Sequence, residues 1–457
     1  MQWQMSFDTG TLVVRVPSDE KEYATGLLTP KFVWDARIGA FRAAAIHYRW
    51  LLHQLTKLKQ PYDDAARAYE TVNYEFKYHR VPFYYQTEAL QAWTQNGSSG
   101  VVVLPTGAGK SFVAQLAMAQ TRRSALIVTP TLDLVAQWHR NLESTFGIKC
   151  GMICSGAFEL EPVTVTTYDS AYIHMERIGN RFGLIVYDEV HHLPTQTYAL
   201  GALHALAPYR LGLTATPERD DECMPYEQLL GPIIYRQTIR ELAGSTLANY
   251  QTIQYEVDLT DSEREAYDMY RSCYLAFIRD QKIRLGTPPG RNDFLKASSR
   301  SRDGREALRS HRMQQKITQR CEAKLHLLND LLRQHRNDRT IIFTADNETV
   351  YQISRDFLVP AITHLSPVKE RREILDGFNN GTYPVVVTSR VLNEGVDIPA
   401  ANVGIVLSGS GSVREHVQRL GRILRGAENK NAVLYELVAK DTGEAFTSER
   451  RRKHEAF

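Results

Sequence analysis

One rhythm constrains the fold of this chain more than any other feature: short runs of Val, Ile and Leu recur between stretches long enough to be helices. Val101–Leu104, Ala125–Val128, Val163–Thr166 and Leu184–Tyr187 form one such set. Runs this short, without polar alternation, must bury both faces, and that is the signature of a parallel strand covered by helices on either side. Parallel neighbours also require long crossovers, which the intervening stretches supply. A second set follows at Thr340–Phe343, Pro384–Val387, Val403–Leu407 and Ala432–Tyr435. Two doubly wound parallel-sheet α/β domains in tandem are expected, with a cleft between them.

At 457 residues the chain is long enough for about three domains of ~150 residues. The boundaries expected from pattern are an N-terminal α+β domain over 1–75, a first α/β domain over 76–240 and a second over 241–457. The second carries a helical insertion at about 259–320. The N-terminal segment offers a strand-like run, Thr11–Val16, and a helix whose apolar face runs through Ala44, Tyr48, Leu51, Leu52 and Leu55. In the insertion Tyr267, Tyr270, Tyr274 and Phe277 fall at helical spacing and read as a packing face; Pro288-Pro289-Gly290 then reads as a break.

Composition excludes several classes. The five cysteines have no C-x-x-C pair, so neither a disulfide framework nor a zinc ribbon fits, and a reduced compartment is expected. No run approaches the ~18 apolar residues of a membrane span, and the first residues lack a signal-peptide pattern. A cytoplasmic, nucleoid-associated protein follows as the expectation. The net charge of +3 gives no sign of a nucleic-acid partner, but its distribution does. Residues 271 to 320 hold thirteen basic side chains against four acidic ones, a local excess of nine. Phosphate neutralisation by such a segment would make binding strongly salt-dependent; a solvated helix face is the alternative.

The chemistry begins after the first strand, at Pro105-Thr106-Gly107-Ala108-Gly109-Lys110-Ser111. Two glycines let the backbone approach a phosphate, and a following helix N-terminus adds positive potential. Lys110 would reach the β- and γ-phosphates and Ser111 would hold magnesium, although Leu104 stands where the full phosphate-loop pattern begins with glycine. The strand Leu184–Tyr187 runs into Asp188-Glu189-Val190-His191. Carboxylates at that sheet edge suit a metal ligand, Asp188, and a base for the attacking water, Glu189; alone, the pair could equally cap a helix. Far downstream, Gln418-Arg419-Leu420-Gly421-Arg422 continues to Arg425. Arg422 and Arg425 lie three apart on one expected helix face, placed to act as arginine fingers at the γ-phosphate, unless they form a solvated basic face.

Taken in order, Pro105–Ser111, Asp188–His191, Thr214-Ala215-Thr216 and Gln418–Arg425 resemble the motifs of superfamily two helicases. Gln86 resembles the adenine-reading glutamine of that superfamily. Thr131 and Thr167 resemble its strand-contacting motifs, as do Thr344, Thr388 and Arg390, while Gly395 and Asp397 resemble its second-lobe nucleotide motif. Within the superfamily the chain resembles the XPB-like DNA helicases in their short archaeal and bacterial form. Arg219-Asp220-Asp221 is similar to the family's Arg-Glu-Asp motif, with Asp where Glu is usual, and the insertion sits where the family has its thumb. Trp34–Ala43 resembles part of the N-terminal domain proposed to sense DNA damage. No four-cysteine iron–sulfur signature is present, unlike in XPD-like relatives.

The resemblance implies two RecA-like domains and an ATP- and Mg²⁺-dependent DNA helicase or translocase with 3′-to-5′ polarity, acting in repair of the nucleotide-excision type. It implies nucleotide contacts through Gln86, the phosphate loop, Gly395 and Asp397, and DNA contacts through Thr131, Thr167, Arg219, Asp220, Asp221, Thr344, Thr388 and Arg390. His191, Thr214, Thr216 and Gln418 would couple nucleotide state to closure of the lobes. DNA is the expected partner of a monomer, with a nuclease partner by analogy to archaeal relatives. An RNA-directed or chromatin-type ATPase, or a docking subunit with a vestigial site, are the competing expectations.

Overall fold

The computed structural model describes residues 2–217, 224–242, 249–284, 288–389, 401–408 and 431–452. Two compact units form, one of Met1–Pro105 with Gly109–Gln237 and one of Thr238–Phe457 with Thr106–Ala108.

The first unit holds two sheets. The N-terminal one has five strands, β1 (Trp3–Asp8), β2 (Thr11–Arg15), β3 (Val33–Asp35), β4 (Ala40–Ala44) and β5 (Tyr62–Ala65), in the order β3-β4-β2-β1-β5. Helices α1 (Lys21–Leu28) and α2 (Tyr48–Leu58) complete it. Ala44, expected on the α2 face, belongs to β4; Tyr48, Leu51 and Leu55 do form the buried face. The core of this domain takes in Leu206 of the following one. Arg49 Nη1 donates to Pro208 O at 3.1 Å, and the Asn180 amide donates to Ala66 O at 2.9 Å while Asn180 O accepts from Ala68 N–H at 3.0 Å.

The second sheet has eight strands: β6 (Ser99–Val103), β7 (Ala125–Thr129), β8 (Gly151–Cys154), β9 (Ala157–Glu159), β10 (Val163–Thr167), β11 (Leu184–Asp188), β12 (Tyr209–Thr214) and β13 (Ile233–Arg236). Their order is β13-β6-β12-β11-β7-β10-β8-β9, parallel except for the β8–β9 hairpin. Every residue of β7 and β11 is buried, as uninterrupted apolar runs require. Helices α3 (Tyr84–Gln95), α4 (Lys110–Thr121), α5 (Leu132–Phe146), α6 (Tyr168–Ile178), α7 (Gln196–Leu203) and α8 (Tyr226–Leu229) pack with it. Arg210 of β12 is buried with no carboxylate beside it among the described residues; its guanidinium instead donates to the carbonyls of Ala202, Ala205, Ala207 and Leu229.

The second unit contains α9 (Ile239–Leu242) and a six-stranded, all-parallel sheet: β14 (Asn249–Val257), β15 (Thr340–Phe343), β16 (Ala361–Ile362), β17 (Val385–Thr388), β18 (Val403–Val406) and β19 (Asn431–Ala439), in the order β14-β19-β18-β15-β17-β16. Between β14 and β15 stand α10 (Asp261–Asp280), α11 (Pro288–Arg300), α12 (Arg302–Gln319) and α13 (Glu322–Gln334); α14 (Asn347–Phe357), α15 (Val368–Asn379) and a C-terminal helix, Gly443–Arg452, follow. The insertion is helical as expected, with Tyr267, Tyr274 and Phe277 buried. Pro288 does not break structure but opens α11, where its fixed φ and missing N–H carry no penalty. Thr260 caps α10 in a capping box with Glu263. Among the described residues no helix is long and apolar enough to cross a membrane.

Candidate functional site

The motif residues that follow the strands of the eight-stranded sheet converge on one of its edges. The loop after β6, Thr131 after β7, Thr167 at the end of β10, Asp188–His191 at the end of β11 and Thr214–Thr216 at the end of β12 all sit at the C-terminal ends of parallel strands, where α/β folds bind ligands. Register brings them close: Thr214 pairs with Val103 and Leu213 with Asp188.

Gly107 and Gly109 adopt φ of +90° and +75°, a region closed to most other residues, and Gly109 leads directly into α4. A Cβ on Gly109 would lie 2.5 Å from Gln86 Nε2. Gln86 is buried; its Oε1 accepts the Phe83 N–H at 3.0 Å and its Nε2 donates to Gly109 O at 3.4 Å, so the glutamine seats the loop as well as adjoining it. Phe83 and Tyr84 stay exposed beside it, and the Arg80 guanidinium lies 4.3 Å from the centre of the Phe112 ring. Pro105 and Ala108 are buried, and Ser111 occupies the first turn of α4. The Thr106 hydroxyl is buried without a hydrogen-bond partner among the described residues.

Asp188 is buried and lacks a salt-bridge partner among the described residues; its oxygens accept from Trp138 Nε1 at 2.8 Å and from the Glu189 N–H at 3.0 Å. Burial raises its proton affinity, opposed by the positive field of Lys110 and by those two N–H groups. A buried carboxylate facing a lysine and no paired cation has the donor chemistry of a Mg²⁺ ligand, and with the Ser111 hydroxyl and the glycine loop the residues present fit magnesium and a nucleotide phosphate. The Lys110 ammonium reaches Leu104 O at 3.4 Å. Asp188 is the last residue of its strand and caps no helix. Glu189 takes φ of +47° and makes no side-chain cap bond to the 3₁₀ turn Val190–His192.

His191 is buried, its Nδ1 3.1 Å from Thr214 Oγ1 and 3.6 Å from Glu189 Oε2. The Thr214 hydroxyl donates to Thr216 O and accepts from Thr216 N–H, each at 3.1 Å, which leaves His191 Nδ1–H as the donor to Thr214. The expected coupling residues of this lobe therefore form one network, ending at a buried Thr216 hydroxyl without a partner among the described residues.

Thr131 caps α5 by accepting the Leu134 N–H at 3.3 Å, and Thr167 caps α6 by accepting the Ser170 N–H at 3.2 Å. Both caps leave first-turn N–H groups and the positive end of a helix at the sheet edge. In the second unit Thr344 and Thr388 are fully buried. Thr344 donates to Asp346 O at 3.0 Å and Thr388 to Ser389 O at 3.2 Å, so these hydroxyls shape the turns that follow their strands. Arg219, Asp220, Asp221, Arg390, Gly395, Asp397, Gln418, Arg422 and Arg425 lie outside the described residues.

On α12 the buried face runs through Gly304, Ala307, Ser310, Gln314 and Thr318, and Arg302, Arg305, Arg309 and Arg312 project exposed from the opposite side. Lys316 and Arg320 are held by Glu348 at 2.6 and 2.9 Å, so the available positive stripe is smaller than the sequence count. The site residues missed from sequence are Trp138 and Tyr168. Trp138 lies on the apolar face of α5 with Val135, Leu142 and Phe146 and reads there as core.

Comparisons with known proteins agree with this architecture. Residues 5–66 match the Xeroderma pigmentosum group B helicase damage recognition domain, 80–219 the type III restriction enzyme res subunit and 323–427 the helicase conserved C-terminal domain. The two helicase matches imply nucleotide use. The DNA 3'-5' translocase XPB2 of Sulfurisphaera tokodaii is 37% identical, over 93% of this chain and 96% of that protein. The DNA 3'-5' helicase XPB of Mycobacterium tuberculosis is 28% identical, over 87% of this chain and 68% of its own length. A general transcription and DNA repair factor IIH helicase/translocase subunit of Arabidopsis thaliana is 29% identical over 83% of this chain, which spans 50% of it. The Pyrococcus furiosus Hef helicase domain shares the fold, with a TM-score of 0.56 at 18% identity over 81% of this chain and 98% of that one. The nearly full-length match to the Sulfurisphaera protein, joined to the three domain matches in order, settles the family: the chain belongs to the XPB family of DNA 3′-5′ helicases and translocases.

Proposed function

We propose that this chain is an ATP-driven DNA translocase of 3′-to-5′ polarity that opens or remodels duplex DNA in repair. The observation that carries it is the buried Asp188 carboxylate, unpaired with any cation among the described residues, in the field of Lys110 at the strand edge that also bears the phosphate loop. Lys110 and the loop N–H groups bind the β- and γ-phosphates, Gln86 reads adenine, and Ser111 and Asp188 hold Mg²⁺. The metal, when bound, neutralises charge developing on the transferred phosphoryl group. Glu189 orients the attacking water and accepts its proton; its carboxylate neighbours His191, which relays the state of the site to Thr214 and Thr216. Arg422 and Arg425 are proposed as arginine fingers for the γ-phosphate, Gly395 and Asp397 as nucleotide-binding residues and Gln418 as a coupling residue.

DNA is proposed to contact the N-termini of α5 and α6 in the first unit, and the exposed stripe Arg302, Arg305, Arg309 and Arg312 is proposed as a phosphate-binding surface of the second. Segment 1–75 is proposed as the damage-sensing domain, 76–240 and 241–457 as the two motor lobes, and the protein as a monomer of the cytoplasm. The test is an ATPase and strand-displacement assay on 3′-tailed, 5′-tailed and bubble DNA, with RNA in parallel. Displacement from 3′-tailed DNA and stimulation by DNA above RNA are expected; stronger stimulation by RNA overturns the reading. Replacing the four arginines with glutamine should flatten the salt dependence of DNA binding by up to about four phosphate contacts in slope. An unchanged slope would remove α12 from the interface.

A further inference from the structure

Two hydrogen bonds tie the proposed strand-contacting helices to the catalytic turn. Helix α5 starts at the Thr131 cap and, two turns on, places Trp138 so that its Nε1 donates to Asp188 Oδ2 at 2.8 Å. Helix α6 starts at the Thr167 cap, and its first residue, Tyr168, sends its hydroxyl to Asp188 O at 3.0 Å, with Glu189 O at 3.4 Å. Both aromatic side chains are buried; the indole N–H can only donate, and the tyrosine hydroxyl, facing two carbonyls, is the donor to them. In sheet order β10 and β11 are separated by β7, so the Tyr168 bond reaches across a strand to grasp the turn. The carbonyls that Tyr168 approaches lie on either side of the Glu189 Cα, whose φ of +47° is unfavourable for a residue with a side chain and must be held by its surroundings.

We propose that Trp138 and Tyr168 are positioning residues that transmit strand contact at the N-termini of α5 and α6 to the Asp188–Glu189 turn. Each helix is a stiff element capped where a phosphate would dock, and each delivers one donor to the turn that holds the proposed metal ligand and base. A displacement of either helix by a fraction of an ångström lengthens its bond and re-aims a carboxylate, and misplacement of about 1 Å in such a site can cost ~10²-fold in rate. Stimulation of hydrolysis by DNA then has a physical route whose two middle links, Trp138 and Tyr168, are buried side chains joined to the turn by hydrogen bonds. This inference rests on the motor reading above.

Tyr168→Phe removes one oxygen and keeps the ring; Trp138→Phe removes the indole donor. Each variant is compared with wild type in thermal melting, DNA affinity by anisotropy, affinity for a fluorescent ATP analogue with Mg²⁺ and with EDTA, and ATPase with and without DNA. Expected are DNA affinity and EDTA-state nucleotide affinity within about twofold of wild type. The ratio of DNA-stimulated to basal rate should fall about tenfold in Tyr168→Phe, and the gain in nucleotide affinity on adding Mg²⁺ about tenfold in Trp138→Phe, each the scale of one hydrogen bond to a charged or strained group. Equal stimulation ratios and Mg²⁺ gains in variants and wild type overturn the proposal, as does a parallel fall of basal and stimulated rates. If Trp138→Phe does not fold, Tyr168→Phe decides alone. A wild-type ATPase indifferent to DNA overturns the motor reading and the coupling together, whereas a stimulated wild type with equally stimulated variants overturns the coupling alone.

Discussion

Replacing Glu189 with glycine should make the protein more stable and catalytically dead. Glu189 sits at φ +47° directly after β11, a conformation that costs a residue with a Cβ about 1–2 kcal/mol and glycine nothing. Against that relief stands the freedom that glycine gains in the unfolded chain, about 0.4–1 kcal/mol. The side chain is 13% exposed, and its carboxylate neighbours the His191 ring at 3.6 Å, a contact that Glu189→Gly also gives up. The net expectation is a gain of about 0.5–1 kcal/mol, or roughly 1–4 °C in melting temperature for a cooperative unit of this size. Loss of a general base should lower hydrolysis by about 10²–10⁴-fold. Glu189→Gln, which keeps the strained backbone, should lose the same activity while holding stability within about 0.5 kcal/mol of wild type. Differential scanning fluorimetry and a phosphate-release assay read both quantities. A glycine variant less stable than the glutamine variant would show that the backbone stores no strain there, and hydrolysis near the wild-type rate in either would remove Glu189 from the mechanism.

Gly109→Ala should weaken nucleotide binding at least about tenfold and cost roughly 1–2 kcal/mol of stability, because the new Cβ meets φ +75° and the buried Gln86 amide at 2.5 Å; wild-type affinity by nucleotide titration would refute the seating of the loop by Gln86. Burial pushes the Cys150 thiol from an ordinary value of 9.0 up to about 12, and the Cys154 and Cys321 thiols are raised for the same reason. Above pH 9 the unfolded chain loses these protons while the folded one keeps them, so stability should fall as pH rises from 9 towards 10, by at most about 1.4 kcal/mol per pH unit for each thiol. Denaturant titrations of Cys150→Ala should show a shallower fall; an unchanged slope would contradict the burial argument.

The strands were legible because their physics is local. Each of the eight apolar runs is a strand, and their order along the chain placed the nucleotide motifs on strand ends before any sheet was seen. The helical insertion was legible for a similar reason, since Tyr267, Tyr274 and Phe277 repeat at the helical period and are buried. What escaped depends on which groups meet in space. Trp138 is indistinguishable by spacing from Val135 and Leu142, yet its indole N–H reaches a carboxylate fifty residues away. Thr344 and Thr388 follow strands like Thr131 and Thr167, but the latter cap helices and the former turn inward, a difference made by the next few backbone dihedrals. The charge excess of the insertion overstated its reach because Glu348, outside the counted window, binds two of its cations.

Leu206 in the N-terminal core, with the Arg49 and Asn180 hydrogen bonds beside it, makes segment 1–75 a fixture of the first lobe. A domain on a tether moves independently of the lobe that carries it; one packed into that lobe does not. Any rotation of this lobe carries the β3–β4 hairpin through the same angle, with a displacement that grows with its distance from the pivot. The N-terminal sheet therefore has no excursion of its own: it goes where the first lobe goes.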